Sequence, residues 1–587
     1  MEKIRLKQLR PLYDGKEHRD FREMLNYCAG QYKDLDAFII KHKGAGRKAP
    51  ASYEHITFRE LLDQVNHLGT AMLNRGYLGK RVAVIGNNSY EWFLTYLSTL
   101  CGIGTSVPLD KGLPFEEALS SLRHIEADIL VFDKAHADFA DRLKQEETRV
   151  TEYICMTPLG GYPSVSELLE EGRAAFESGD KRYTDLPIDP DDATILLFTS
   201  GTSSLAKAVM LTQRNILYNV YCMQRAEPFG PGDVTMAFLP YHHTFGSTGQ
   251  TMMLASGVTS VFCDGLKYIQ KNIAEYHVTK FICVPLLIEA MYKRIMHQIE
   301  KQGKAAGFRR GLRISGILRR FRIDVRRRIF KDIHDALGGS LTYIISGASP
   351  LDPEVAKGFD AIGITVVQGY GLTETSPVIL GENARTLRPG SVGFAMYGIE
   401  AAIADPDENG VGEIITRSPS VMKGYYNDPD ADARAFRDGW FYTGDLARAD
   451  KDGFVFITGR AKNVIVLKNG KNVYPEELEI RIADLPYVKE NIVIGEPRRR
   501  NGDQKDLALC AKIVYDPVYM KDQHGTEDPA AIEKIIRADL DAINDTLPSY
   551  KQILRLVATD REMVKTTTGK VKRYAESAAG AGTGSNT

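Results

Sequence analysis

Tryptophan occurs only twice in the 587 residues and cysteine only seven times. The cysteines (Cys28, Cys101, Cys155, Cys222, Cys263, Cys283 and Cys510) lie far apart, are odd in number and form no CxxC pair. That excludes a disulfide framework and suits a reducing compartment, with cysteines as small core residues. An excess of either charge is missing too: 75 Lys+Arg stand against 76 Asp+Glu. No whole-chain field for nucleic acid results, and no nucleic-acid partner is expected. Long hydrophobic runs are absent. The uncharged run Phe93 to Leu109 contains Gly, Ser, Thr and Pro108 and falls below the roughly 20 residues of a spanning helix. It reads as helix, turn and strand. The opening MEKIRLKQLRPLYDGKEHRD has no apolar signal core, so a cytoplasmic protein is the expectation.

What is present is an ordinary globular composition, 43% hydrophobic and 26% charged, on a chain long enough for two or more domains. Short β-branched runs recur: RVAVI (81–85), ADILVFD (127–133), ILLFTS, VTMAFLP, TSVFC, TKFICVP, TYIISG and ITVVQGYG. Each ends in Gly, Pro or small polar residues, often with a helical stretch before the next. This alternation predicts an α/β fold of mainly parallel sheets, with ligands at the carboxyl ends of strands. After about Gly459 the pattern becomes that of a small α+β unit: NVYPEELEIRIADL as a short helix with Pro475 near its start, then strands ENIVIGE and DLALCAKIVYD, helix PAAIEKIIRADLDAIND and strand ILRLVATD. The predicted division is a large domain over 1–459, a small one over 460–574, and a Gly/Ala/Ser-rich disordered tail over 575–587. Nine arginines fall between Arg309 and Arg328. With Val325, Ile329, Phe330, Ile333 and Leu337 on one helical face, Arg326 to Arg328 are predicted to face solvent. That segment is read as a solvated helix face or as an attractor of anionic lipid or polyphosphate, the one candidate here for peripheral membrane contact.

Two strand endings are unusually rich. In LLFTSGTSSLAKAVMLTQRN (196–215), Thr199, Ser200, Thr202, Ser203 and Ser204 surround Gly201 and precede Lys207. Hydroxyls donate to phosphate oxygens, and glycine lets the backbone approach. The spacing matches a Walker loop counted from Gly201. However, Ala206 replaces the second glycine, and Ala208 replaces the hydroxyl that would hold magnesium, which argues against an ordinary P-loop NTPase. The bland alternative is a Ser/Thr-rich strand-to-helix turn without ligand. The second ending, GYGLTETSP (369–377), offers an aromatic face at Tyr370, a hydroxyl at Thr373 and a carboxylate at Glu374. These are parts for stacking a base, touching a phosphate and holding Mg²⁺. DGWFYTGDLA (438–447) presents Asp445 after a glycine, suited to two ribose hydroxyls; GRAKNVIVLKNGKNVYPEELE (459–479) and KTTTGKVKR (565–573) follow.

This ordered set resembles the adenylate-forming (AMP-binding) enzymes: acyl-CoA synthetases, luciferases and peptide-synthetase adenylation domains. The resemblance spans roughly Phe21 to Arg573. IGNNSYEWFLTYLSTLCGIGTSVPLD and RAKNVIVLKNGKNVYPEELE look most like long-chain fatty acyl-CoA synthetases. The loop departs from the commoner TSGTTGxPKG at Ser203, Ser204, Ala206 and Ala208, and Val564 stands where many relatives have proline. The resemblance implies ATP, Mg²⁺ and coenzyme A as cofactor and co-substrates, and a carboxylic acid activated as acyl-AMP. It places Thr199, Ser200, Gly201, Thr202, Ser203, Ser204 and Lys207 at the pyrophosphate end of ATP. Gly347 and Ala348 of SGASP, with Tyr370, would flank adenine. Thr373 would touch the α-phosphate, Glu374 would hold Mg²⁺, and Asp445 and Arg460 would fix the ribose. Lys570 would reach the carboxylate and α-phosphate, Lys462 would be the hinge, and Gly470 would line the thiol tunnel. His243, in LPYHHTFG, would lie beside the acyl group, with walls drawn from 281–292 and 347–371. Without the resemblance, the His242–His243 pair reads as structural, no third metal ligand stands at ligand spacing, and Lys570 reads as part of a solvated turn. A ligase loading a carrier protein, a luciferase-like oxygenase and a catalytically silent nucleotide-binding scaffold are the rivals.

Overall fold

The computed structural model describes residues 2–44, 49–199, 207–468, 471–498, 506–565, 571, 573 and 575–576. Short apolar runs build two large sheets, as the alternation predicts. In the first, strands Gly104–Leu109, Lys80–Ile85, Ile129–Phe132 and Glu152–Cys155 run parallel, joined by Ala193–Thr199; Lys207–Thr212 and Gly424–Tyr425 close one edge in antiparallel fashion. Among the described residues the second has nine strands. Its centre is parallel, through Asp36–His42, Thr259–Phe262, Val234–Ala237, Lys280–Cys283, Tyr343–Ser346 and Thr365–Gly371, and antiparallel strands flank it on both sides.

Helices fill the space between these sheets. Phe58–Asn74 starts at a capping box, Thr57 with Glu60, and Tyr90–Ser98 starts at Ser89, whose hydroxyl accepts from Trp92 N–H. Both devices satisfy amides that the first turn leaves open. Thr244–Ala255 is buried on nearly every side, as expected of a helix apolar or small all round. One continuous core joins Val82 and Val84 of the first sheet, Phe38 and Tyr343 of the second, and Trp92, Phe93 and Tyr241 between them.

Two features were not legible from the alternation. Lys3–Arg5, Glu400–Ala404, Gly412–Arg417 and Trp440–Ala449 form a third, antiparallel sheet, with Phe436–Arg437 and Val455–Arg460 beside the last. The arginine segment is also not one helix. Ala305–Arg320 is followed by short helices Arg326–Ile329 and Lys331–Ala336. Arg326 turns inward to Asp324 and Asp360, and Arg327 donates to the carbonyls of Leu341 and Gly339. The expectation that all three arginines face solvent therefore holds for Arg328 alone, because Asp324 and Asp360 draw in Arg326 and backbone carbonyls draw in Arg327.

The α+β unit predicted after Gly459 is present. Val488–Pro497, Leu507–Tyr515 and Ile553–Thr559 form a sheet, and Pro475–Ala483 and Pro529–Asn544 pack on it around a core of Leu478, Ile482, Ile536 and Leu540. Among the buried carboxyls of the large unit are Glu227 and Glu382. Glu227 accepts from the Tyr343 hydroxyl (2.6 Å), and Glu382 accepts from the amides of Gln368 and Arg388. Burial pushes both acids up to about 8.

Candidate active site

The site forms where neighbouring parallel strands end, as open α/β sheets dictate. Ser346 and Gln368 are register partners at the ends of Tyr343–Ser346 and Thr365–Gly371. This brings SGASP beside GYGLTETSP. Ala348 adopts φ +72°. Gly347 lies under the Phe245 ring; a Cβ there would stand 3.0 Å from Phe245 Cζ. Gly371 is required by close approach: a Cβ would fall 1.7 Å from the Pro377 carbonyl oxygen.

The strands on either side of the hydroxyl loop, Ala193–Thr199 and Lys207–Thr212, pair antiparallel. Thr199 pairs with Lys207 across antiparallel strands, and the Thr199 hydroxyl reaches the Lys207 carbonyl at 3.5 Å. Lys207 therefore begins a strand (Lys207–Thr212) and not a helix, so the helix N-terminus that a P-loop aims at phosphate is not supplied here. Ser200, Gly201, Thr202, Ser203 and Ser204 lie outside the described residues, as do Gly470 and Lys570.

Glu374 sits in the turn Thr373–Thr375. Its Oε1 accepts from the Tyr425 hydroxyl (2.9 Å), its carbonyl accepts from Met422 N–H (2.8 Å), and the Lys207 ammonium lies 4.5 Å from the centre of the Tyr425 ring. Burial, then the Glu374 charge, raises the Tyr425 hydroxyl far above its ordinary value, so it remains a donor. Tyr425 thus links Lys207 to Glu374. Sequence reasoning missed it, although GYY, an aromatic pair after a glycine, was its signal.

A second pair of missed residues holds these loops. Asn215 and Asn219, one helical turn apart on Gln213–Gln224, share a face. The Asn215 amide donates to the carbonyls of Pro419 and Val421 (2.7 and 2.9 Å); that of Asn219 donates to Thr375 and Val378, while its oxygen accepts from Val378 N–H. One helix face therefore clamps both the Glu374 turn and the segment leading to Tyr425. Two asparagines in a helix, where they are weak formers, were the readable trace.

At the other end of the site, Asp445 and Arg460 are register partners on adjacent antiparallel strands. Arg460 Nε lies 2.6 Å from Asp445 Oδ1, and the Tyr370 hydroxyl donates to Asp445 Oδ2 at 2.7 Å. The Asp445 side chain is buried, and burial followed by Asp445 itself keeps Tyr370 protonated. Each carboxylate oxygen can accept more than one hydrogen bond, so this anchored aspartate retains capacity for hydroxyl donors. Lys462, two residues beyond Arg460, is at the surface of the same corner. Desolvation by the protein on its inner side, then the Arg460 charge, lowers its ammonium.

His243 caps the buried helix Thr244–Ala255, and its ring centre lies 4.3 Å from that of His242. His242 Nε2 is 3.3 Å from Asp110 Oδ1. Asp110, His242 and His243 bring three possible ligand atoms within 4.8 Å of one another, a third group that sequence spacing concealed because Asp110 follows a distant strand, Gly104–Leu109. Burial, then His243, holds His242 down to about 3, so it is neutral. Lys111, beside the trio, adds a positive charge that works against a dication. A cavity of about 20 Å³ is lined by Phe238, Tyr241, Phe245, Gly249, Met253 and Ile282, among others.

A family model described as AMP-binding enzyme matches residues 28–426, and another, AMP-binding enzyme C-terminal domain, matches residues 462–579. The chain belongs to the AMP-binding enzyme family. This AMP-binding enzyme is therefore an adenylate-forming ligase. It is similar to the long-chain-fatty-acid–CoA ligase FadD15 of Mycobacterium tuberculosis, 26% identical over 496 residues, covering 80% of this chain and 82% of the relative. It is also similar to the Arabidopsis thaliana chloroplastic long-chain-fatty-acid–[acyl-carrier-protein] ligase AEE15, 27% identical, covering 76% and 71%. Among solved structures, the anthranilate CoA ligase AuaEII in complex with anthranoyl-AMP superposes with a TM-score of 0.73 at 20% identity, covering 97% and 98%. ATP-bound MatB from Rhodopseudomonas palustris gives 0.72 at 23%, covering 95% and 99%. At those identities the likeness is one of fold.

Proposed function

We propose that this AMP-binding enzyme activates a medium- to long-chain fatty acid with ATP and transfers the acyl group to coenzyme A. The observation that carries the reading is the Tyr370–Asp445–Arg460 cluster standing at one end of the site and the Lys207–Tyr425–Glu374 line at the other. An anchored acceptor for hydroxyls and a cation–carboxylate pair for phosphate and metal are what a whole nucleoside triphosphate needs.

A carboxylate is a poor acyl donor because its leaving group would be oxide. Attack of a carboxylate oxygen on the α-phosphorus breaks the bond to pyrophosphate and leaves acyl-AMP. The thiol then attacks the acyl carbon, and AMP departs as the leaving group. Both steps redistribute negative charge, so catalysis is electrostatic and positional and needs no protein nucleophile. Thr199 and Lys207, with the hydroxyls between them, hold the pyrophosphate end. Gly347, Ala348 and Tyr370 flank the base, and Thr373 touches the α-phosphate. Glu374, a hard oxygen donor fixed through one oxygen by Tyr425, suits Mg²⁺, which when bound neutralises phosphate charge. Asp445 and Arg460 hold the ribose. Lys570 steadies the reacting oxygens, then leaves as residues 460–574 swing about Lys462, and Gly470 comes to line the thiol path. His243 borders the acyl group.

Pyrophosphate and AMP release across straight-chain acids of graded length, with and without coenzyme A, tests this. A maximum at medium to long chains, with AMP turnover dependent on coenzyme A, is expected. Adenylate formation without any response to coenzyme A, but with acyl transfer to an added carrier protein, replaces the acceptor. The absence of acid-dependent turnover with every acid overturns the reading.

A further inference from the structure

Beyond the nucleotide site, the surface of helix Ala305–Arg320 carries a chemistry that the reaction does not use. Its inner face is accounted for: the rings of Phe308 and Phe330 lie 5.3 Å apart, a Cβ on Gly311 would stand 2.9 Å from Ile329 Cγ2, and Ser315 is buried. The opposite stripe, spaced three and four residues apart, holds Arg310, Arg313, Ile314, Ile317, Arg320 and then Phe321. Ile317 is 57% exposed and Phe321, at the helix end, 73%. Between Lys301 and Phe330 the only acidic residue is Asp324, and Arg326 already pairs with it. Of the helix arginines, Arg319 is held by Asp360, whereas Arg310, Arg313 and Arg320 make no ion pair among the described residues.

We propose that this face docks the enzyme peripherally on a bilayer rich in anionic lipid. A purely solvated helix face needs no aliphatic or aromatic side chains, and a site for a soluble polyanion needs charge alone. Large apolar side chains alternating with unpaired arginines on one stripe match both layers of a membrane interface. Ile314, Ile317 and Phe321 enter the acyl boundary while the guanidinium heads remain at lipid phosphates. No helix of the described residues is long and apolar enough to cross a membrane, so the contact is one of surface attachment. The inference rests on this surface and not on the identity of the acid, so it can fail or succeed independently of the proposed function.

The test is sedimentation of the full chain with vesicles, of phosphatidylcholine alone or of equal parts phosphatidylcholine and phosphatidylglycerol. Binding to the mixed vesicles only, weakened by salt, is expected. Combined Arg310→Glu, Arg313→Glu and Arg320→Glu should lower partitioning at least on the order of 100-fold, from about fivefold per positive charge lost. In a separate charge-preserving variant, Ile317→Trp, the added fluorescence should shift to the blue on mixed vesicles and remain unshifted with phosphatidylcholine. Equal binding to both vesicle types, no binding, full retention by the charge-reversed variant, an unshifted Trp signal on bound protein, or capture by soluble polyphosphate in place of vesicles overturns the proposal.

Discussion

The Tyr425 hydroxyl donates to Glu374 Oε1 at 2.9 Å from a strand that pairs not with the Glu374 segment but with Lys207–Thr212. The carboxylate is thus positioned from the strand that begins at Lys207. The register needs Gly424: at its φ of +150° a Cβ would meet Asp432 Oδ2 at 2.7 Å, the carboxylate whose other oxygen accepts from Tyr425 N–H.

Tyr425→Phe keeps the ring under Lys207 and removes only the donor. Loss of a group that orients a metal-binding carboxylate typically costs about 10–100-fold in metal affinity. The Mg²⁺ concentration giving half-maximal acid-dependent exchange of pyrophosphate into ATP should rise about tenfold, with melting temperature little changed. An unaltered magnesium requirement would remove Tyr425 from this role.

Asp445→Asn leaves Arg460 facing a neutral amide and removes the charge that strengthens each accepted hydrogen bond. ATP binding, followed by calorimetry, should weaken about 10–100-fold. Wild-type affinity in a folded variant would exclude Asp445 from the nucleotide site.

Asn219 is fully buried and serves two carbonyls and one amide of the Glu374 loop. Asn219→Ala leaves these backbone groups unsatisfied, which costs about 2–4 kcal/mol in total. Denaturant unfolding checks the stability loss, and proteolysis around residues 372–378 should accelerate. A variant as stable and as protected as the wild type contradicts the clamp.

How much of this was legible in the sequence follows from where each signal resides. Parallel strands announce themselves locally, through β-branched runs that end in small residues, and loop chemistry such as GYGLTETSP sits in consecutive positions. Tyr425, Asn215 and Asp110 act across 51, 204 and roughly 130 residues of chain respectively, so only folding discloses their partners. The third sheet was missed for a related reason. Its antiparallel strands run through Ala401, Ala402 and Ala404 and through glycine-rich turns, a composition with weak strand preference.

The two half-reactions should separate. Lys570→Ala is expected to cripple adenylate formation while largely sparing thioester formation from supplied acyl-AMP. Lys462→Pro, which fixes φ at the proposed hinge, should damage mainly the thioester step. Single-turnover assays of each half-reaction check both, and equal losses in the two would refute the division.

Glu227 is held neutral by burial, with its ionisation raised to about 8 from an ordinary 4.5. Between those values the unfolded chain gives up a proton that the folded chain keeps, so stability falls as pH rises from about 5 to 8. Glu227→Gln, which can still accept from Tyr343, should flatten that fall. Its melting temperature should exceed the wild type's by a few degrees at pH 8 and match it near pH 5. Parallel pH profiles would show that Glu227 does not titrate in this window.

Arg460, which grips Asp445, is also the final residue of its strand, and the proposed swivel lies two positions further on. A sugar seated on that aspartate would press directly on the last anchored point before the joint. Loading and release of the nucleotide would then set the torque on the small lobe with no relay through the core, so the handle that senses cargo and the pin on which the arm turns would be one short length of backbone.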